Sequence, residues 1–456
     1  MGKRLIAVLA LALVFGLTFS AAYAEVQNVK ISGDIITSVV ARNHFNLDNN
    51  APGDKSVLKQ NFLMSQIRVR IDADLTDNVM ATVRLINERV WNGQNDANTS
   101  SSSNNTNIDL DLAYVALKEF LYSPLTLTVG RQEIKFGNGL IIGNAKAIGT
   151  SSSIPTDLTE RKAFDAIRAT LNYDPLIVDL VYAQVKQTNT TDRNTVSLTG
   201  INATYAINKK VDVSAYYWLK KNDDHTTSTM NSTTSRPDEL STIGGLISAA
   251  PIEDLSTSLE AAYQFGRNTA TNNQKKHNAW AVQAMADYTF SKVKTTPKIG
   301  ASYTYLSGSK SNNDNSSDKK NDGWDAMFYD QKLNNIVYTI LPFSNMNAYN
   351  LRASCKPVED VTVSAVYGYY TVAQKSTGEF SIPGTYNNGT NYYGTDGKST
   401  YTGKAYLGSA LDGTITYDYT EDVQFGLTGG YFLPGNALTS DAANATQLIG
   451  SMKVTF

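Results

Sequence analysis

The sequence predicts an all-β fold: a transmembrane antiparallel β-barrel of eighteen strands, with sixteen strands as the alternative. The first observation is the stretch from Gln447 to Phe456, where apolar and polar residues alternate with a period of two up to an aromatic residue. The second is composition, since charged residues make up 18% of the chain against about 25% in soluble proteins. The third is an alternation of short and long connections between strands, which a β-sandwich has no reason to show.

The chain begins with the pattern of a secretory signal peptide. Lys3 and Arg4 precede an apolar run from Leu5 to Leu17, and Ala22-Tyr23-Ala24 has the spacing of a cleavage site. We therefore expect residues 1–24 to be removed and residues 25–456 to form the barrel in the bacterial outer membrane. No later stretch approaches the roughly 18 consecutive apolar residues of a membrane-spanning helix.

Eighteen segments show the alternation expected of strands. In the first three, residues such as Ile31, Ile67 and Val83 lie on an apolar face, and the opposite faces carry charges. A tilted strand needs about 9–11 residues to cross the membrane, a length that these segments reach. They lie near residues 28–42, 57–75, 79–88, 108–119, 124–137, 164–173, 175–187, 194–207, 209–221, 239–250, 253–267, 277–290, 294–307, 345–356, 360–374, 403–419, 421–433 and 445–456.

The connections after even-numbered strands are short turns, such as Thr76-Asp77-Asn78. Longer polar loops mostly follow the odd-numbered strands, and the longest span residues 137–163, 220–238, 307–344 and 375–402. An even-stranded outer-membrane barrel has both termini and its short turns on the periplasmic side. The loops 137–163 and 307–344 are candidates for a plug inside the lumen, but we slightly favour solvated surface loops.

Aromatic residues cluster within several strands and are predicted to form girdles at the two membrane interfaces, with the ring in lipid and the polar tip in water. Stacking against sugars in the lumen is the alternative role. The clusters are Tyr216 to Trp218, Tyr303 with Tyr305, Tyr367 with Tyr369 and Tyr370, and Tyr417 with Tyr419.

Several segments resemble the alginate export family of outer-membrane porins. The stretch DLDLAYVALKEFLYSPLTLTVGRQEIKFGNGLIIG carries Tyr114, then Gly130-Arg131-Gln132 and Gly137-Asn138-Gly139. The segments 164–185, 350–370 and 411–435 and the terminal strand are also similar to the family, whereas residues 190–300 are only generically barrel-like. The resemblance implies a monomeric barrel of eighteen strands whose lumen arginines conduct an anionic polysaccharide. Because members of the family are diverse, it supports a porin of this family better than it supports alginate as the solute.

Alternation places a set of charged side chains on inward faces, where they would line a pore. Arginine suits a carboxylate-bearing solute because its planar guanidinium pairs with a carboxylate through two hydrogen bonds. The alternative is that these charges only neutralise one another across the wall. The candidate pore-lining residues are Arg68, Arg70, Arg84, Glu88, Asp109, Asp111, Arg131, Arg168, Arg352 and Lys453. Together with Asp72, Asp179, Asp212, Glu260, Asp412 and Asp418, the inward acids outnumber the inward bases, which weakens the expectation of an anionic solute.

Arg131 carries a conflict between two arguments. The family resemblance implies a lumen residue, yet Arg131 is in phase with Leu125, Leu127 and Val129, which should face lipid. A bulge at Gly130 would turn the side chain inward. Otherwise Arg131 lies near the rim.

These features predict a channel that passes a polar solute, with an anionic saccharide as one candidate, by diffusion through a charged lumen. An adhesin or structural barrel without transport is the alternative. No enzyme activity, metal or cofactor is expected, because the three histidines His44, His225 and His277 are far apart, Cys355 is the single cysteine, and no G-x-S-x-G motif occurs. Expected partners are outer-membrane lipid, the solute, and the assembly machinery that would read the strand ending at Phe456. The net charge of −2 argues against nucleic acid.

Overall fold

The computed structural model describes residues 28–45, 47, 59–91, 108–145, 154–155, 157–187, 195–222, 238–268, 275–309, 320–381, 398–439 and 442–456. The predicted signal peptide lies outside these residues. The strands are β1 Asn28–Asn43, β2 Lys59–Thr76, β3 Val79–Val90, β4 Asp109–Leu117, β5 Leu125–Gln132, β6 Phe164–Asn172, β7 Leu176–Gln187, β8 Thr195–Asn208, β9 Val211–Asn222, β10 Asp238–Ala249, β11 Leu255–Asn268, β12 Lys275–Thr289, β13 Lys298–Leu306, β14 Lys320–Asn321, β15 Met346–Val358, β16 Val361–Thr371, β17 Thr377–Ser381, β18 Lys398–Thr402, β19 Tyr406–Asp418, β20 Val423–Pro434 and β21 Ala445–Thr455. One short helix, α1, spans Asn335–Ile340.

The main sheet closes on itself as an antiparallel barrel. Each barrel strand pairs with its neighbours in chain order, and β21 pairs back to β1 from Asp34 opposite Thr455 to Asn43 opposite Thr446. The sheet contains nineteen strands, of which the two-residue β14 adds a short parallel pairing to β12, so eighteen strands form the wall. Strands β17 and β18 form a separate hairpin. The eighteen-stranded prediction is therefore confirmed over the sixteen-stranded alternative.

The two faces of the wall differ as the alternation predicted. Ile31, Ile71 and Val83 are exposed on the outside of the barrel, where a membrane covers them. Their neighbours in sequence, such as Arg70 and Thr82, point into the lumen. Among the described residues, the structure contains no helix with the length and apolar character needed to span a bilayer.

The aromatic girdles need one correction. Tyr217, Tyr367 and Tyr369 face outward, as predicted. Trp218 and Tyr370 instead point inward and are fully buried, as Tyr216 nearly is. Side chains of consecutive strand residues point to opposite faces, so a run of adjacent aromatics cannot lie wholly in a girdle.

The loop expectation was wrong for the described parts of 137–163 and 307–344. Leu140, Ile141 and Ile142 from the first loop and Ile336 and Ile340 from the second are almost completely buried inside the barrel. The chain leaves β5 at Gln132, five residues before the predicted strand end at 137, and Gly137 and Gly139 adopt positive φ angles of 52° and 74°. These glycines permit the tight turn that directs the apolar segment into the lumen.

Phe456 packs at the seam of the barrel, where its ring lies over Gly33 of β1. The backbone N–H of Gly33 donates to the carbonyl oxygen of Phe456 at 2.8 Å, and the N–H of Phe456 donates back at 3.0 Å. A Cβ at position 33 would lie 2.5 Å from the carbonyl oxygen of Arg68 and 2.6 Å from Cζ of Phe456. This approach requires glycine.

We therefore expect Gly33→Val to lower the fraction of protein that closes its seam. The readout is the heat-modifiable electrophoretic mobility of the folded barrel. The control is Gly450→Val, which lies on the facing strand at the same seam, where an added Cβ would meet nothing within 4 Å. Equal folded fractions for the two variants would contradict a packing role for Gly33.

Candidate functional site

The lumen wall of β1 to β4 carries ion pairs between neighbouring strands and within them. Arg68 donates to both carboxylate oxygens of Asp34, with a shortest distance of 2.5 Å. On β2, Arg70 pairs with Asp72 at 2.7 Å. Next to them, Arg84 Nε contacts Asp111 at 2.6 Å. The predicted arginine cluster is therefore inside the barrel, but each member already has a carboxylate partner.

The second half of the loop between β5 and β6, described at residues 154–155 and 157–163, covers the extracellular part of this charged wall. Arg161 bridges Glu88 at 3.1 Å and Asp109 at 2.5 Å. Glu160 reaches Arg68 at 3.2 Å, and its backbone N–H donates to Glu88. Charged side chains of the loop therefore pair with the acidic and basic side chains of the wall in the extracellular part of the lumen.

Arg42 fastens the same loop near the seam. Its guanidinium contacts Asp157 at 2.5 Å and donates from Nε to Gln447 at 2.8 Å. The side chain of Arg42 is 1% exposed and that of Asp157 is 6% exposed. Thr339 of α1 also donates to Asp157, at 3.3 Å, so this pair connects the two loops and the wall.

The opposite wall is apolar where the loops meet it. The small side chains on this wall, mostly alanine, leave space into which loop residues pack. Phe136 lies with its ring centroid 5.1 Å from that of Trp218, and Phe164 lies 5.7 Å from Phe328. Buried wall residues come from every strand from β7 to β13 and from β15, β16 and β19 to β21: Ala183, Leu198, Trp218, Leu240, Ala262, Ala279, Ala281, Leu306, Ala348, Tyr370, Ala410, Phe432 and Ala445.

The two inward loops are joined to each other. Asp330 accepts from Lys162 at 3.0 Å and from Lys135 at 3.4 Å. The backbone N–H of Gly143 donates to the carbonyl oxygen of Phe328 at 2.8 Å. We call the described residues 133–145, 154–155, 157–163 and 322–345 the plug, because they pack together inside the barrel.

Helix α1 is held to the wall by a carboxylate. Asp412 of β19 accepts from the backbone N–H groups of Asn335 and Ile336, the first two residues of the helix. Anionic groups are favoured at this end because the helix N-terminus carries partial positive charge and unpaired N–H donors. The side chain of Asn334 caps the helix by accepting from the N–H of Val337 at 3.3 Å.

An ion pair holds the loop that precedes helix α1. Lys220 of β9 donates to Asp325 at 2.9 Å. Burial acts to raise the pKa of Asp325, but the ammonium of Lys220 and the backbone N–H of Met327 together leave the pKa below its ordinary value. The carboxylate therefore stays charged and keeps its contact with the wall.

The sequence matches the alginate export family over residues 37–450, which is almost the whole chain. The chain belongs to the alginate export family. A search of the curated proteins finds no match. Three crystal structures from Pseudomonas aeruginosa share the fold of this family member. OccK3 (OpdO) has a TM-score of 0.56 at 8% identity, covering 94% of this chain and 96% of that one.

The other two structures also have low sequence identity to this chain, at 11% and 10%. OccK8 (OprE) has a TM-score of 0.54 at 11% identity, covering 94% of this chain and 98% of that chain. OccK2 (OpdF), solved in complex with glucuronate, has a TM-score of 0.52 at 10% identity, covering 94% and 99%. This alginate export family protein is thus a bacterial outer-membrane barrel that forms a solute channel.

In this family member, Arg131 does not face the lumen. Arg131 lies opposite Asp165 without a register shift and pairs with it at 3.1 Å on the outer face, where Ile167 is also exposed. Gly130 has a φ of 123°, but the pairing with β4 and β6 continues regularly through it, so no bulge turns Arg131 inward. The pore-lining prediction for Arg131 was wrong because strand alternation prevails over the resemblance.

The other nine candidate residues lie on the inner face. Toward the periplasmic end, Arg168 pairs with Asp179 at 2.8 Å and Arg352 with Asp287 at 3.1 Å. Lys453 lines a hollow of about 600 Å3 at the periplasmic mouth, together with Asp418 and Asp422. The structure thus favours mutual pairing for most of the predicted charges, and it supplies partners that the candidate list omitted. These partners are Asp34, Glu133, Glu160, Arg161 and Asp287.

One buried acid, Glu260 of β11, lies beneath the plug. Its Oε1 accepts from the hydroxyl of Tyr216 at 2.8 Å, whereas its buried Oε2 has no hydrogen-bond partner among the described residues. A cavity of about 10 Å3 lies beside it, lined by Gly137, Asn202 and Ser214. That volume is close to the space of a single water molecule.

Proposed function

We propose that this channel passes acidic saccharides or similar polar solutes, and that the plug narrows its extracellular half in the state described. The proposal rests on a difference in side-chain exposure between the extracellular and periplasmic halves of the lumen. Inward side chains on the extracellular half, such as Trp218 and Tyr370, are buried under the plug. On the periplasmic half, Arg70 is 35% exposed, and Arg168 and Arg352 are also partly exposed.

The partly exposed arginines supply the chemistry for a carboxylated solute. Each is paired with an acid, so a solute carboxylate would share the guanidinium with that acid, and neither charge would be left isolated. Arginine can be shared in this way because its guanidinium has five N–H donors. The glucuronate bound to OccK2, which shares the fold, is a solute of this class.

The remaining expectations belong to the same proposal. We infer that the protein acts without enzymatic chemistry, is a monomer, and is synthesised with residues 1–24 as a cleaved signal peptide. Closure of β21 on β1 supports the monomer, because no strand edge of the barrel wall is left for a neighbour. We also infer that the assembly machinery reads β21 with Phe456.

Ion selectivity in a planar bilayer tests the lumen assignment. We expect Arg70→Ala to move the reversal potential toward cation selectivity, because Asp72 then lacks its partner. One charge at about 4 Å in water-like surroundings is worth ~1 kcal/mol, so the anion-to-cation permeability ratio should fall by up to about fivefold at low salt.

Arg131→Ala is the matched control, because Arg131 faces outward and should leave selectivity unchanged. Glucuronate added to the wild-type channel should interrupt the current, and Arg70→Ala should weaken that block. If neither the wild type nor a variant lacking residues 325–343 of the plug conducts ions, the result would instead indicate an adhesin or structural barrel. Equal shifts for Arg70→Ala and Arg131→Ala would contradict the lumen assignment.

A further inference from the structure

The outer wall has a groove across β12, β13, β15 and β16. Its floor is formed by alanines at facing positions, since Ala286 lies opposite Ala301 and both are on the outer face. Larger side chains form its sides, because Ala301 is opposite Leu351 and Ala284 is opposite Tyr303. The groove has a volume of about 460 Å3.

A row of tyrosines marks the extracellular end of the groove. The ring centroids of Tyr303 and Tyr349 are 5.0 Å apart, those of Tyr349 and Tyr369 are 6.3 Å apart, and those of Tyr369 and Tyr406 are 5.1 Å apart. The hydroxyl of Tyr303 donates to Asn347 at 3.0 Å. Asn347 is two residues nearer the extracellular end of β15 than Tyr349, so the polar atoms lie on that side.

This arrangement matches the two parts of a membrane lipid. Tyrosine rings at a membrane interface lie at headgroup level, with the ring in the apolar region and the hydroxyl toward water. The alanine floor begins below this row and extends toward the bilayer centre, where only acyl chains are present. The groove is therefore continuous with the lipid-facing surface of the barrel and is oriented as a lipid of the outer leaflet would be.

We propose that this groove is a specific site for one lipid, with a saturated acyl chain lying on Ala284, Ala286 and Ala301 and the headgroup above the tyrosine row. A flexible chain can enter a depression of this size between Tyr303 and Leu351. The wall of a second barrel cannot enter it as easily, because strands present a broad face. The hydroxyl of Tyr303 is already bonded within the chain, so a polar contact from a partner barrel is not needed there.

Lipid retention in native mass spectrometry tests the site. Protein depleted of lipid is titrated in detergent micelles with lipid A, the saturated lipid of the leaflet in which the groove lies. We expect one lipid to stay bound per wild-type barrel and to be lost in Ala301→Phe, whose ring would fill the groove. Ala286→Phe provides a second filling variant if Ala301→Phe does not assemble, as judged by heat-modifiable mobility.

The control is Ala169→Phe, also on the outer face but facing the large side chains of Leu127 and Leu180 on both neighbouring strands. It should retain the lipid as the wild type does. Equal retention in the wild type, the filling variants and the control would overturn the proposal. A wild-type dimer that the filling variants abolish would also overturn it, and would assign the groove to a second copy of the chain.

Discussion

Replacing residues 325–343 by Gly-Ser-Gly is expected to raise the single-channel conductance several-fold. The segment carries α1 and the apolar residues that pack against the wall from β9 to β20. Its removal would leave the small wall side chains, such as Ala348 and Ala410, facing water in place of protein. A wider wet lumen passes more ions because the constriction sets the conductance.

The excision is geometrically permissible, because the ends of the segment meet. The hydroxyl of Ser344 donates to the carbonyl oxygen of Trp324 at 2.6 Å. A short linker can therefore join these two positions without moving β13 or β15. The barrel wall keeps its antiparallel pairing, since the segment contributes no strand to it.

A milder variant tests whether the two loops act as one plug. A Cβ at Gly143 would lie 2.5 Å from Cβ of Asp330, so Gly143→Val should push the loops apart without removing a charge. We expect it to give an intermediate conductance. Removing residues 382–397, which lie outside the described residues, is the control for chain shortening. Unchanged conductance after removal of 325–343 would show that the plug does not limit ion flow.

The barrel itself could be predicted from the sequence because it depends on patterns among residues that are close together in the chain. Alternation along β2 and β3 requires one face to be apolar, and the Thr76-Asp77-Asn78 turn between them reverses the chain within a few residues. The same alternation placed Arg131 outward, and the structure agrees with it.

The plug could not be predicted in the same way, because its contacts join residues far apart in the chain. Asp330 meets Lys162, and Arg42 meets Asp157, across the lumen interior. The alternation of residues along β1 predicts that Arg42 points into the lumen, but it does not predict which loop residue Arg42 contacts. One signal was available: Leu140-Ile141-Ile142 and Ile336-Val337 are too apolar for solvated loops.

Arg42→Met should cost about 3–5 kcal/mol in free energy of unfolding, the range seen when one partner of a buried ion pair is removed. Asp157 would remain 6% exposed with its main cation lost, and the ring of Phe45 would lose the guanidinium that lies over it. Unfolding by guanidinium in detergent micelles, followed by tryptophan fluorescence, measures the loss. The loop around Asp157 should also be released, which raises the open-channel current.

Two further variants separate charge from packing. Arg42→Met combined with Asp157→Leu should recover most of the stability, because neither charge is then left buried alone. Arg70→Ala should change the free energy of unfolding by at most ~1 kcal/mol, since solvent screens its partly exposed pair with Asp72. Equal losses for Arg42→Met and Arg70→Ala would contradict this distinction. Exposure therefore decides which role a lumen arginine takes: a buried one fixes the plug, and a hydrated one remains available to the solute.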